Sequence, residues 1–195
     1  MQALFPPHAL KLSTRLRRAL TQRGFTAIEI LVVVGIIGIL AALAGPSFTP
    51  LIERWRVRQA VENMTSTIYY ARSEAIKRGG NITVLKNILT AECPQASTTQ
   101  EWSCGWMVFV DSNDSGTRQN TELILQTFPV VSAINVMNSS DSANFKVDRW
   151  GQINGLGAQG FTFAPVGPGV SSPSTTTLCV SSGGRIDAKK GEATC

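Results

Sequence analysis

The sequence predicts an α+β protein: a long amino-terminal helix, apolar first and amphipathic after, packed on an antiparallel β-rich head. Three observations carry this. An apolar run from Phe25 to Gly45 holds one charge, Glu29. Val57, Val61, Met64, Ile68, Ala71 and Ala75 then recur at helical spacing. From residue 81 onward, short runs rich in Val, Ile, Phe, Thr and Trp alternate with Gly, Pro, Asn and Ser. The expected organisation is a leader over 1–24, a transmembrane or assembly helix over 25–45, an amphipathic extension over 46–80 and a head over 81–195.

The leader accounts for the charge. The chain has 195 residues and a formal charge of +5. Lys11, Arg15, Arg17, Arg18 and Arg23 supply all of that excess, and the remaining cations balance the 13 acids. His8, the one histidine, also lies in the leader. A chain cut after Gly24 has no imidazole, which excludes Ser-His-Asp, Cys-His and His-metal chemistry.

A helix over 25–45 is roughly 30 Å long, enough to span a hydrocarbon core. The cations before it favour a cytoplasmic leader. An ordinary secretory signal, cut after Ala44 in Ala42-Leu43-Ala44 to release a periplasmic enzyme, is the competing expectation. Glu29 argues against it. A carboxylate near the bilayer interior costs about 2.5–3.5 kcal/mol, and a discarded signal gains nothing from it. A new terminus at Phe25 supplies a cationic partner, reached from a neighbouring subunit because amine and acid share one helix. Gly35, Gly38, Ala41, Ala42 and Gly45 fit either general membrane-helix composition or close helix approach in a bundle.

Arg23-Gly24-Phe25-Thr26-Ala27-Ile28-Glu29 and the apolar run resemble the class III signal of type IV pilins and type II secretion pseudopilins. The resemblance implies cleavage between Gly24 and Phe25 by a prepilin peptidase, methylation of the new terminus, and an assembly role for Glu29. It implies other pilins or pseudopilins as partners. It also implies a single pass of the bacterial inner membrane with a periplasmic head, and then a pilus or pseudopilus. The leader is long for that family.

Past the run, Pro46 and Pro50 predict an interrupted or kinked helix. The amphipathic stripe predicts packing on the head and implies no cofactor; Gly79-Gly80 ends the helix. A helix from Phe25 to about Arg78 is on the order of 80 Å long. Lipid or other helices must cover its first half. Residues 71–77 resemble the corresponding helix of the GspH/FimT group.

Strands are expected over 81–86, 105–111, 122–130, 134–138, 145–152, 160–165 and 176–181, in one or two antiparallel sheets. Trp102-Ser103-Cys104-Gly105-Trp106-Met107-Val108-Phe109-Val110-Asp111 resembles the GspH/FimT head motif, which implies a type IV pilin-like fold and a structural subunit without enzymatic activity.

Three patterns in the head mimic other chemistries. Asp111, Asn113, Ser115, Gly116 and Glu122 have EF-hand spacing, but the flanks read as strands and a hairpin turn explains them. Gly155-Leu156-Gly157-Ala158-Gln159-Gly160 precedes a strand, so it offers no helix terminus to a pyrophosphate. Asp111, Asp114 and Glu122 have the makings of a carboxylate pair, but in a turn they are expected to be solvated. Cys93, Cys104, Cys179 and Cys195 allow three pairings. Cys93–Cys104 would pin the loop before Trp106, and Cys179–Cys195 would hold the last residue. Without a CxxC knuckle, zinc is disfavoured.

The segment 183–190 reads as a solvated loop. The segment also resembles that of some FimT-like minor pilins, which act in DNA uptake and carry a Gly-Arg-x-Arg signature near the carboxyl end. Gly184-Arg185-Ile186-Asp187 replaces its second arginine with an acid, leaving Arg185, Lys189 and Lys190 as the candidate DNA contacts.

Overall fold

The computed structural model describes residues 24–87, 93, 98–129, 132–154 and 159–195. The first 23 residues of the leader, with His8, and residues 155–158 of the glycine-rich pattern lie outside them. The chain divides into two units, Met1–Leu43 and Ala44–Cys195. Helix α1, Ala27–Arg78, contributes to both.

Helical backbone is assigned through Pro46 and Pro50. Each proline removes one backbone donor without ending the helix. The helix stops where two glycines permit it. Gly79 takes φ +80, and the Gly80 N–H reaches back 2.8 Å to the Ala75 carbonyl, closing the left-handed cap that satisfies an otherwise orphaned acceptor.

Nine strands follow among the described residues, in two antiparallel sheets. They are β1 Ile82–Lys86, β2 Trp106–Val110, β3 Ile124–Phe128, β4 Ile134–Asn138, β5 Asn144–Val147, β6 Ile153–Asn154, β7 Gln159–Pro165, β8 Thr176–Val180 and β9 Ile186–Lys190. One sheet runs β3-β2-β1-β5-β6 and the other β4-β7-β8-β9. Two expectations are corrected. The run over 145–152 is not one strand. Asp148 Oδ1 accepts the Trp150 and Gln152 N–H groups and turns the chain between β5 and β6. The segment 183–190 is not a loop: its second half is β9, held in register along β8 from Thr176↔Lys190 to Val180↔Ile186. Its charges masked it, since only Ile186 signals burial.

The helix and both sheets share one core. Val57, Ala60, Met64, Ile68, Ala71 and Ala75 are 2% exposed or less, and they meet Val84 and Trp106 of the first sheet and Phe161 and Leu178 of the second. Trp102 joins the sheets. Its ring lies 6.0 Å from Phe145 and 5.2 Å from Phe161, and its indole N–H donates to the Ser142 carbonyl. Trp106 ties sheet to helix through a 2.8 Å bond to Thr67 Oγ1.

Candidate functional site

The amino-terminal residues form the first candidate. Gly24, Phe25 and Thr26 precede α1, and all three are exposed, Phe25 by 78%. Thr26 Oγ1 accepts the Glu29 N–H at 3.3 Å. Thr26-Ala27-Ile28-Glu29 is a capping-box sequence, and an acid in the first turn also suits the helix dipole. Glu29 therefore has a local reason to be there besides any partner in another chain. Its signal, Thr-x-x-Glu before an apolar run, was legible in the sequence and was missed.

From Ala27 to Leu43 every side chain is exposed, including Ile28, Leu31, Ile36 and Leu43. A helix apolar on all sides is covered on all sides wherever it is stable. Among the described residues no single helix is long and apolar enough to cross a membrane. Ala27–Leu43 and Phe48–Arg78 pass that test only together.

The acidic loop between β2 and β3 departs from expectation. Asp111 is fully buried and Glu122 is 6% exposed. Asp111 accepts Thr83 Oγ1 at 2.9 Å, Ser115 N at 2.9 Å and Gly116 N at 2.8 Å. Glu122 accepts Ser112 N at 3.0 Å and Gln119 N at 2.9 Å. Both carboxylates are occupied as acceptors organising the hairpin. Asp114 alone is solvated, paired with Lys146 at 2.8 Å.

Cys93 is bonded to Cys104 ahead of β2, and at the carboxyl end Cys179 is bonded to Cys195. Thr162 and Thr177 hydroxyls donate to the Ala193 and Glu192 carbonyls, so the last residues lie across β7 and β8. Arg72, on the polar side of the helix stripe, is a latch. Its guanidinium donates to the carbonyls of Gly151 at 2.8 Å, Gly184 at 2.9 Å and Gly183 at 3.3 Å, joining the β5–β6 and β8–β9 turns to the helix. Gly184, at φ +79, lies so close that a Cβ there would run into that guanidinium.

Of the three residues proposed for DNA, Lys189 and Lys190 alternate to opposite faces of β9. Arg185 is exposed in the turn. Lys189 Nζ is 3.8 Å from Glu192 Oε2 and donates to the Cys195 carbonyl. Lys190, one residue on, faces the helix beside Arg54 and Arg58.

A helix packed across two antiparallel sheets, continuing into a helical stretch exposed on every side, defines a type IV pilin-like subunit. Residues 60–189 match the family described as Type II transport protein GspH, and the chain belongs to that family. The solved minor pilin FimU of Pseudomonas aeruginosa has the same fold. Its TM-score is 0.55 at 18% identity, over 74% of this chain and 96% of that one. The pilin-like protein PilA1 of Thermus thermophilus is 35% identical over 94 residues, 48% of this chain and 51% of its own length. A fimbrial protein of Pseudomonas aeruginosa is 44% identical over 61 residues, 31% of this chain and 39% of its own. The chain thus spans about half the length, or less, of the curated relatives it matches.

Proposed function

We propose that the chain is a minor pilin or pseudopilin precursor. A prepilin peptidase cuts it between Gly24 and Phe25 and methylates the new amine. The apolar helix first lies in the inner membrane with the head in the periplasm, then packs among other pilin helices in a pilus or pseudopilus. The role is structural, with no catalytic step. The observation that carries this reading is the uniformly exposed apolar surface from Ala27 to Leu43. Burying each of its large side chains is worth about 1.5–3 kcal/mol, and one surface serves lipid and bundle in turn. Glu29 meets a neighbouring subunit's terminal amine there, replacing lost solvation with an ion pair.

Mass spectrometry of the mature protein tests the reading. It predicts an amino terminus at N-methylated Phe25; a terminus at Gly45 would assign the chain to ordinary secretion instead. Glu29→Ala is expected to be inserted and cleaved normally but to be absent from isolated filaments.

A further inference from the structure

The two edges of the second sheet are treated differently. At the β4 edge the preceding chain is already bonded. Trp102 N–H donates to the Val136 carbonyl, Asn138 N–H to the Gln100 carbonyl, and Glu101 bridges Met137. At the β9 edge no backbone partner is present among the described residues. The flanking bonds from Gly191 N to Thr175 O and from Ser181 N to Arg185 O fix the alternation. Asp187 and Lys189 bond toward β8, so Ile186, Ala188 and Lys190 turn their N–H and C=O groups outward.

The same residues face the helix. Ala188 and Lys190, with Pro173, Ser174, Arg54 and Arg58, line a cleft of about 620 Å³ whose apolar wall is Val57 and Val61. Arg54 and Lys190 have no acidic partner among the described residues, and Arg58 holds only Glu62, in a pair with side chains 79% and 63% exposed. Such a pair is worth about 0–1 kcal/mol and exchanges readily for a better one. Ser174 is 7% exposed, and its Oγ is buried without a hydrogen-bond partner among the described residues. A buried hydroxyl in that state calls for an acceptor.

We propose that β9 and this cleft take up an extended, acidic segment of a partner protein. The segment adds to the sheet as a further strand, bonded to the outward groups of Ile186, Ala188 and Lys190. Alternate side chains enter the cleft, setting carboxylates against Arg54, Arg58 and Lys190 and one acceptor on Ser174 Oγ. The occupant is not a second β9, because that pairing sets cationic strands against each other, the usual means of keeping edges apart. The proposal stands apart from the filament reading: failure of peptide binding leaves the mass of the amino terminus unaffected.

The probe is a fluorescein-labelled, end-capped Val-Glu-Val-Glu-Val-Glu-Val peptide, titrated by anisotropy against the full chain in detergent micelles. Saturable binding is expected. Affinity should fall at least about tenfold on R54E/R58E/K190E substitution, and as much for a peptide N-methylated at alternate residues. Those three side chains are exposed, so the variant should keep the parent circular dichroism; Ser174→Ala gives a smaller, independent loss should it not. Absence of saturation at millimolar protein overturns the proposal. So does unchanged affinity of the N-methylated peptide, or full displacement by millimolar inorganic phosphate, since either reduces the cleft to a simple anion pocket.

Discussion

Helix α1 contains two stretches governed by different rules. From Ala27 to Leu43 every side chain is exposed, whereas from Val57 to Ala75 one stripe is 2% exposed or less. The first is apolar on all faces; the second is apolar on one face and carries Arg58, Glu62 and Arg72 on others. A one-sided stripe is satisfied within the chain, because two sheets offer it matching apolar faces. In the proposed function an all-round apolar surface is covered instead by lipid or other helices. On that reading, folding and assembly draw on separate residues of the same helix, and substitutions can address them one at a time.

The largest expected effect lies in the core. Trp102→Ala removes the ring between Phe145 and Phe161 and should lower the stability of the head by about 3–5 kcal/mol in denaturant unfolding. Leu31→Ala, in the exposed stretch, should change it by less than ~0.5 kcal/mol. A comparable loss from Leu31→Ala would break the comparison.

Next comes the carboxyl-terminal staple. Replacing Cys179 and Cys195 with serine reopens a loop of sequence separation 16. In the chain-entropy picture that costs about 3 kcal/mol. The freed segment 192–195 should then become accessible to protease, while the proposed cleavage after Gly24 stays unchanged.

Arg72→Met is expected to cost about 2 kcal/mol, in the range for a charged donor on neutral acceptors. It tests whether the latch fixes the two turns. The Ile153 amide, which donates to the Ser182 carbonyl between them, should lose hydrogen-exchange protection ahead of the rest of the sheet.

What the sequence disclosed divides along the same line. The helix stripe was legible because its spacing is local. The bounds of β1, β2, β4, β7 and β8 fell within about two residues of expectation, because β-branched and aromatic runs are punctuated by turn residues. What escaped depends on partners far along the chain. β9 is a strand because β8 pairs with it, and its own composition reads as loop. Asp111 is buried because Thr83 and Gly116 deliver donors to it. Arg72 latches two turns that lie 79 and 112 residues away. Among the candidate site residues, Gly24, Phe25 and Glu29 were visible as a contiguous motif. The separation of Lys190 from Arg185 and Lys189 required the strand alternation of β9.

The smallest effect expected concerns Glu74, at the end of the buried stripe. The Arg78 guanidinium bonds its Oε2 at 2.6 Å, and Lys77 lies 3.5 Å from its Oε1. The Arg78 hydrogen bond holds the Glu74 carboxyl below its ordinary value against the opposing effect of burial, with Lys77 adding to the lowering. A carboxyl lowered by folding contributes stability at pH values above its unfolded pKa and loses it as pH falls through the folded one. Glu74→Gln should therefore be slightly less stable than the parent at neutral pH. Paired unfolding curves should converge as the solution is acidified through the carboxylate range. A difference that persists unchanged below that range would assign the effect to packing at the helix end rather than to the ion pair.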